Sequence, residues 1–261
     1  MSRPWVVILG ASSGFGAAAA RAFAAEGHPV FGAHLDRRGT LPQVEALVEE
    51  LEGHDVPVLF HNGNAARDEV RTEALDRLQG ALEEHGGEVG VLLHSLAFGT
   101  LRPYFDEEGR PLARRQLEMT LDVMAHSLVY WTQDLVTRGL LGEGGRVYAM
   151  TSSGSLAAWP SYGAVSAAKA ALEAHVRQIA VELAPRGITA NAIMAGVTPT
   201  PALDKIPGSD RLAEAARARN PHGRLTTPED VARCLVTLAG AGTAWMTGNV
   251  LRVDGGETIS G

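Results

Sequence analysis

Seven short runs rich in valine, isoleucine and leucine recur along the chain, separated for the most part by longer stretches of helical period. They are WVVILG from Trp5, PVFGAHL from Pro29, VPVLF from Val56, VGVLLHS from Val89, GRVYAM from Gly145, GITANAIM from Gly187 and NVLRV from Asn249. Runs apolar on successive residues suit strands buried on both faces, the situation of a parallel sheet covered by helices. Segments such as AAAARAFAAEG, LPQVEALVEELEG and VRTEALDRLQGALEEHG supply the helices. Crossovers between parallel strands are right-handed, so the alternation predicts an α/β, doubly wound parallel sheet of about seven strands. A length of 261 residues suits one domain spanning 1–261.

Charge and composition narrow the function classes. The net charge is −7 and the basic residues are scattered, which excludes a nucleic-acid footprint. No run approaches the roughly 20 apolar residues of a membrane helix. The amino end MSRPWVVILG passes straight from an apolar run into a glycine loop, so no secretory leader is expected. Cys234, in EDVARCLVTLA, is the single cysteine; it reads as a small buried apolar residue and points to reducing cytoplasm. The nine histidines show no HxxxH pattern, and no metal site is expected.

Ligands of doubly wound sheets bind outside the carboxyl ends of the strands. The first strand runs directly into GASSGFG, which holds Gly10, Ser12, Ser13, Gly14, Phe15 and Gly16. Glycine permits the tight turn and lets backbone amides and a helix amino terminus approach a pyrophosphate, the Rossmann arrangement. The same residues also read as a helix cap made by Ser12 or Ser13. The second strand ends at Asp36-Arg37-Arg38, where an adenosine ribose would lie. A carboxylate there favours a free ribose diol, whereas guanidinium groups favour a 2′-phosphate. The two adjacent arginines tip the expectation to NADP(H) over NAD(H), although both also read as solvated loop residues. Asn64 would border the adenine, or is an ordinary turn asparagine.

These features, with VLLHSLAFG after strand four, the serines after strand five, Tyr162, Lys169 and the terminal VDGG, resemble the short-chain dehydrogenase/reductase superfamily along essentially the whole chain. In its familiar ketone and alcohol enzymes a tyrosine stands four positions before the lysine. Here that position is Val165, and the nearby phenol is Tyr162, in YGAVSAAK, with six residues between it and Lys169. At about 3.6 residues per turn the two lie about two turns apart on nearly one helix face. That spacing is similar to the enoyl-acyl-carrier-protein reductases, as are HSLAFG, AAKAALEAHVRQIAVELAPRGITANAI and the opening of AGVTPTPAL. Met124 occupies the place where ketone-reducing relatives hold an asparagine that supports a water relay; a thioether cannot do that. Departures are the ordinary glycine loop and Ser152, where many enoyl reductases have a second tyrosine; one branch of them combines both.

The resemblance implies hydride transfer to a trans-2-enoyl thioester in fatty acid synthesis, with Tyr162 polarising the thioester oxygen. Lys169 would hold the nicotinamide ribose and favour a polarised phenol. Ser152, or Ser153, would support Tyr162, and both also read as turn serines. Ser95, Leu96, Thr198 and Thr200 would line the cofactor. His94 reads as an orienter of backbone, not as a proton donor. The stretch from Pro199 to Thr227 interrupts the alternation and predicts an excursion with a short lid helix after strand six, where Ser209, Leu212, Ala215 and Ala216 form one side. Arg211, Arg217, Arg219 and Arg224 make it locally basic, suited to an acidic acyl carrier protein or simply to a solvated helix face. A homotetramer, packing the helices around 117–138 and 164–183, is implied by the resemblance. Competing readings are a ketone or alcohol reductase of the same superfamily and a catalytically silent nucleotide-binding sensor or scaffold.

Overall fold

A computed structural model describes residues 3–107 and 109–260. The strands are β1 (Trp5–Leu9), β2 (Val30–His34), β3 (Val58–Asn62), β4 (Val89–His94), β5 (Leu141–Thr151), β6 (Thr189–Ala195) and β7 (Val250–Val253). All join one parallel sheet in the order β3-β2-β1-β4-β5-β6-β7. The helices are α1 (Gly14–Ala25), α2 (Leu41–Glu52), α3 (Asp68–His85), α4 (Arg114–Leu121), α5 (Ser127–Thr137), α6 (Gly163–Leu183), α7 (Ser209–Arg219) and α8 (Pro228–Leu238).

Alternation along β1 divides the core. Trp5, Val7 and Leu9 pack with Leu75, Leu78, Trp131 and Leu172, from α3, α5 and α6. Val6 and Ile8 face the other way, against Phe23, Leu47 and Leu235 of α1, α2 and α8. A strand buried on both faces must be apolar at every position. Each fully buried side chain of this size contributes roughly 1.5–3 kcal/mol of transfer free energy.

β2, β3 and β7 begin at Val30, Val58 and Val250 instead of Pro29, Val56 and Asn249, and two further boundaries differ for a visible reason. β5 begins at Leu141, not Gly145, because its ladder to β4 pairs Val89 with Leu141 and then jumps to Val91 with Arg146. The glycine-rich residues between them bulge out, Gly144 taking φ +83°. β6 begins at Thr189 because Gly187, at φ +71°, closes the preceding helical turn. The excursion after β6 carries α7 and ends at Thr227, which caps α8: the Asp230 amide donates to Thr227 Oγ1 at 3.3 Å and the Thr227 amide to Asp230 Oδ2 at 3.0 Å.

Strand order reverses between β1 and β4, opening a crevice at the carboxyl ends of these strands. The segment above it, between α4 and α5, is π-helical from Asp122 to His126, and π-bulges of this kind often sit at functional sites.

Candidate active site

Two cavities adjoin at that crevice. The larger, about 570 Å³, runs from Gly10, Ser12, Ser13 and Gly14 past Asp36 and Asn64 to Ser95, Leu96 and Lys169. The smaller, about 200 Å³, is walled by Leu101, Trp159, Val165, Leu203, Ile206 and Leu212. Phe15, Met124, Ser152, Tyr162, Thr200 and Lys205 line both.

The glycines meet three different steric demands. Gly10, at φ +88°, leaves no space for a side chain: a Cβ would lie 2.5 Å from the Ser95 carbonyl oxygen. Gly16 lies beneath the cleft and does not line it, since its Cβ would sit 2.0 Å from the Gly10 carbonyl oxygen. Gly14, at φ +51°, would direct a Cβ toward Thr200. Ser13 occupies the N-cap of α1 without a side-chain capping bond, so the cap reading of this serine is not realised. The first-turn amides of α1 therefore face the cleft uncapped, as a pyrophosphate site requires.

At the other end of the cleft the acidic residue prevails over the arginines. Asp36 lines the cavity, while Arg37 and Arg38 are exposed and do not. The expectation of NADP(H) drawn from the arginine pair finds no support in the lining of the cavity. The Asp36 amide donates to Asn62 Oδ1 at 3.0 Å and Asn62 Nδ2 donates back to the Asp36 carbonyl at 3.0 Å, which fixes the turn. Burial would raise the Asp36 carboxyl, but hydrogen bonds from Ser12, Thr40 and His34 outweigh it and hold the group below its usual range. His34 Nδ1 lies 3.0 Å from Asp36 Oδ2. Asn64 lines the cleft and is a turn asparagine too, its Oδ1 accepting from the Ala66 amide at 3.0 Å. Trp131 Nε1 donates to the Ala65 carbonyl at 2.8 Å and pins that loop.

Tyr162 is the N-cap of α6, with φ −96° and ψ 0°, and its carbonyl accepts the first helical bond from Ser166 at 2.9 Å. The residue before it, Ser161, holds φ +62°, a left-handed conformation that costs a serine about 1–2 kcal/mol. That turn delivers the ring to the junction of the two cavities. Burial raises its phenol above the ordinary value, with the Ser152 side chain acting the other way. Ser152 Oγ also accepts from the Gly154 amide at 3.3 Å.

Lys169, two turns further along α6, is buried and lines the larger cavity only. Its Nζ donates to the Met150 carbonyl at the end of β5, at 2.6 Å. Burial brings its ammonium down to about 8, opposed by the charge of Glu173 one turn on. Glu173 is itself buried and accepts from Thr151 Oγ1 at 2.6 Å. Sequence reading missed Glu173, Asn62 and Lys205. The four-residue step from Lys169 to Glu173 was the only local signal among them.

His94 is fully buried, its Nε2 lying 2.8 Å from Ser127 Oγ. Ser127 spends its single proton on the Val123 carbonyl at 2.8 Å, so His94 Nε2 must be the donor. Burial, with the Lys169 charge adding to it, takes this imidazole down to about 3. It is neutral at working pH and braces the π-helical turn. Thr198 lines only the smaller pocket, and its hydroxyl donates to the Gly196 carbonyl at 2.9 Å; Thr200 also reaches the larger cavity. Tyr104 packs over Gly163, where a Cβ would touch its ring at 2.6 Å, and lines neither cavity. Of the lid arginines, Arg219 pairs with buried Glu257 at 3.6 Å and Arg224 with Asp230 at 2.6 Å, whereas Arg211 and Arg217 are exposed. Among the described residues no helix is long and apolar enough to cross a membrane.

A glycine-cradled cleft at the switch point, with a carboxylate at its far end and a phenol and a lysine on one helix, fits an oxidoreductase that uses a nicotinamide nucleotide. Residues 10–258 match the family described as Enoyl-(Acyl carrier protein) reductase, and the chain belongs to that family of the short-chain dehydrogenase/reductase superfamily. It is 31% identical over 235 residues to the enoyl-(acyl-carrier-protein) reductase (NADH) FabI of Aquifex aeolicus, covering 88% of this chain and 83% of that protein. The crystal structure of the Aquifex aeolicus enoyl reductase superposes with a TM-score of 0.82 at 26% identity, over 99% of this chain and 97% of that one. Other relatives are 1-cyclohexenylcarbonyl-CoA reductase of Streptomyces collinus, 28% identical over 97% of this chain and 86% of that protein. A 3beta-hydroxysteroid dehydrogenase 1 of Eggerthella lenta is 30% identical over 97% and 93%.

Proposed function

We propose that the protein reduces the carbon–carbon double bond of trans-2-enoyl thioesters in fatty acid synthesis. The observation that carries this reading is the position of Tyr162, whose ring lines both the nucleotide cleft and the apolar pocket while Lys169 lines the cleft alone. When bound, a nicotinamide would supply the hydride, which on this reading goes to the β-carbon, and a proton then goes to the α-carbon to complete the saturated thioester. Tyr162 donates to the thioester oxygen as negative charge develops there, so it acts on the transition state more than on the ground state. Lys169 would hold the ribose hydroxyls, and its positive charge would favour a polarised phenol. Ser152 steadies the phenol. Met124, in the buried π-helical turn, keeps the relay position dry and disfavours ketone chemistry.

NADH is the favoured cofactor, because the Asp36 carboxylate would repel a 2′-phosphate and the Aquifex relative is named for NADH. Arg211 and Arg217 on α7 suit an acidic carrier protein at the pocket mouth. A homotetramer packed through α5 and α6 belongs to the same reading; the groove of about 650 Å³ between them is lined by Val129, Val136, Ile179 and Leu183 together with Gln178 and Glu182. The test follows NADH and NADPH oxidation with crotonyl and acetoacetyl thioesters in parallel. Oxidation with the crotonyl thioester supports the reading, and oxidation with the acetoacetyl thioester alone rejects it.

A further inference from the structure

The excursion that covers the apolar pocket leaves the sheet at Gly196–Val197, its helix α7 ends at Arg219, and one buried carboxylate meets both points. The Val197 amide donates to Glu257 Oε2 at 3.0 Å, and Arg219 Nη2 lies 3.6 Å from Glu257 Oε1. The Glu257 side chain is 4% exposed. At Gly196 a Cβ would fall 2.7 Å from Glu257 Oε2 and 2.5 Å from Thr226 Oγ1, so the chain passes the carboxylate with no room for a side chain.

The turn that carries Glu257 is rigid in its own right. Asp254 accepts from the Gly256 and Thr258 amides, each at 3.0 Å, and from the Thr258 hydroxyl. Asn220, next to Arg219, donates through Nδ2 to the Asp254 carbonyl at 2.9 Å. Burial raises the Glu257 carboxyl, while the Val197 amide and Arg219 favour its charged form and Asp254 opposes it. Between the two anchors lie Thr200, Leu203, Lys205, Ile206 and Leu212, all of which line the pocket.

We propose that Glu257 is the positioning residue of the lid, clasping Val197 and Arg219 so that the height of α7 over the acyl pocket is set from the carboxyl-terminal turn. Glu257 touches neither cavity and acts through these two partners. Its two oxygens divide the work. Oε2 holds the loop that continues into Thr198, and Oε1 holds the end of the lid helix. The catalytic consequence rests on the enoyl-thioester reading, whereas the clasp itself does not.

The test compares Glu257→Gln, Arg219→Gln and the double variant. A glutamine can still accept from the Val197 amide, but it presents an NH₂ group instead of an anion to Arg219. Glu257→Gln should therefore raise the KM for crotonyl-CoA about three- to fivefold while kcat and the NADH dissociation constant stay within about twofold. Arg219→Gln should match it, and the double variant should be no worse than either single one. Amide hydrogen exchange should quicken across residues 209–219 in each variant and stay unchanged in β1 and β4. Additive effects of the two substitutions, or unchanged exchange in α7, would overturn the clasp. If the wild-type protein fails to turn over crotonyl-CoA, the enoyl reading falls and the exchange measurement alone decides the clasp.

Discussion

The ring of Tyr162 rests on Gly154: a Cβ built at that glycine would stand 2.6 Å from Tyr162 Cε1. The phenol is thus seated by the turn after β5 as well as by its own helix. Gly154→Ala should displace the ring and lower kcat on crotonyl thioester about 10- to 100-fold, because a displacement near 1 Å is enough for such a loss. Tyr162→Phe, which keeps the ring seated and removes the donor, should lower kcat about 10²- to 10³-fold with NADH affinity preserved. Steady-state kinetics and cofactor fluorescence titration check both.

Lys169 and Glu173 predict a pH dependence with a definite sign. The Lys169 ammonium, brought down to about 8 by burial, is charged below that pH and neutral above it. Tyr162, shifted upward, stays protonated across the same range. Activity should therefore fall as pH rises through about 8. Glu173→Gln removes the carboxylate that favours the ammonium, so the alkaline limb should move to lower pH. A limb that stays in place would show that Glu173 only fills space. The pH profile of kcat/KM on crotonyl thioester distinguishes the two outcomes.

Asp36→Ser should change cofactor choice. Loss of a charge-assisted bond to the ribose diol, about 1.5–3 kcal/mol, weakens NADH binding roughly ten- to hundredfold and removes the repulsion of a 2′-phosphate. The ratio of kcat/KM for NADPH to that for NADH should rise by at least the same factor.

Charge reversal at Arg211 and Arg217 tests carrier docking without disturbing the Glu257 clasp, as reversal at Arg219 would. The double reversal should raise the KM for an enoyl carrier-protein thioester about tenfold or more, while the KM for the coenzyme A thioester stays nearly constant. Equal effects on both would remove the carrier from the account.

The parts of this molecule written in short-range pattern were legible in its sequence. The sheet followed from continuous apolar runs, the glycine turn from its place after β1, and the placement of Tyr162 and Lys169 about two turns apart along one helix from their spacing. What was hidden depends on partners far away in the chain. Asp36 rather than Arg37 or Arg38 enters the cleft because Asn62, on the neighbouring strand, brackets its backbone. Glu257 meets Val197 and Arg219 only because the carboxyl-terminal turn folds back beside β6. The π-helical turn around Met124 changes the hydrogen-bond register without any Pro or Gly to mark it.

The central claim is that Tyr162 acts on a conjugated thioester and directs reduction to a carbon–carbon bond. Its most direct test is the position of label in the product when crotonyl-CoA is reduced with NADH carrying deuterium at the transferable position, read by NMR. The account predicts butyryl-CoA with deuterium on the β-carbon. Failure to label crotonyl-CoA, with deuterium found instead on the carbinol carbon of 3-hydroxybutyryl-CoA formed from acetoacetyl-CoA, would contradict it.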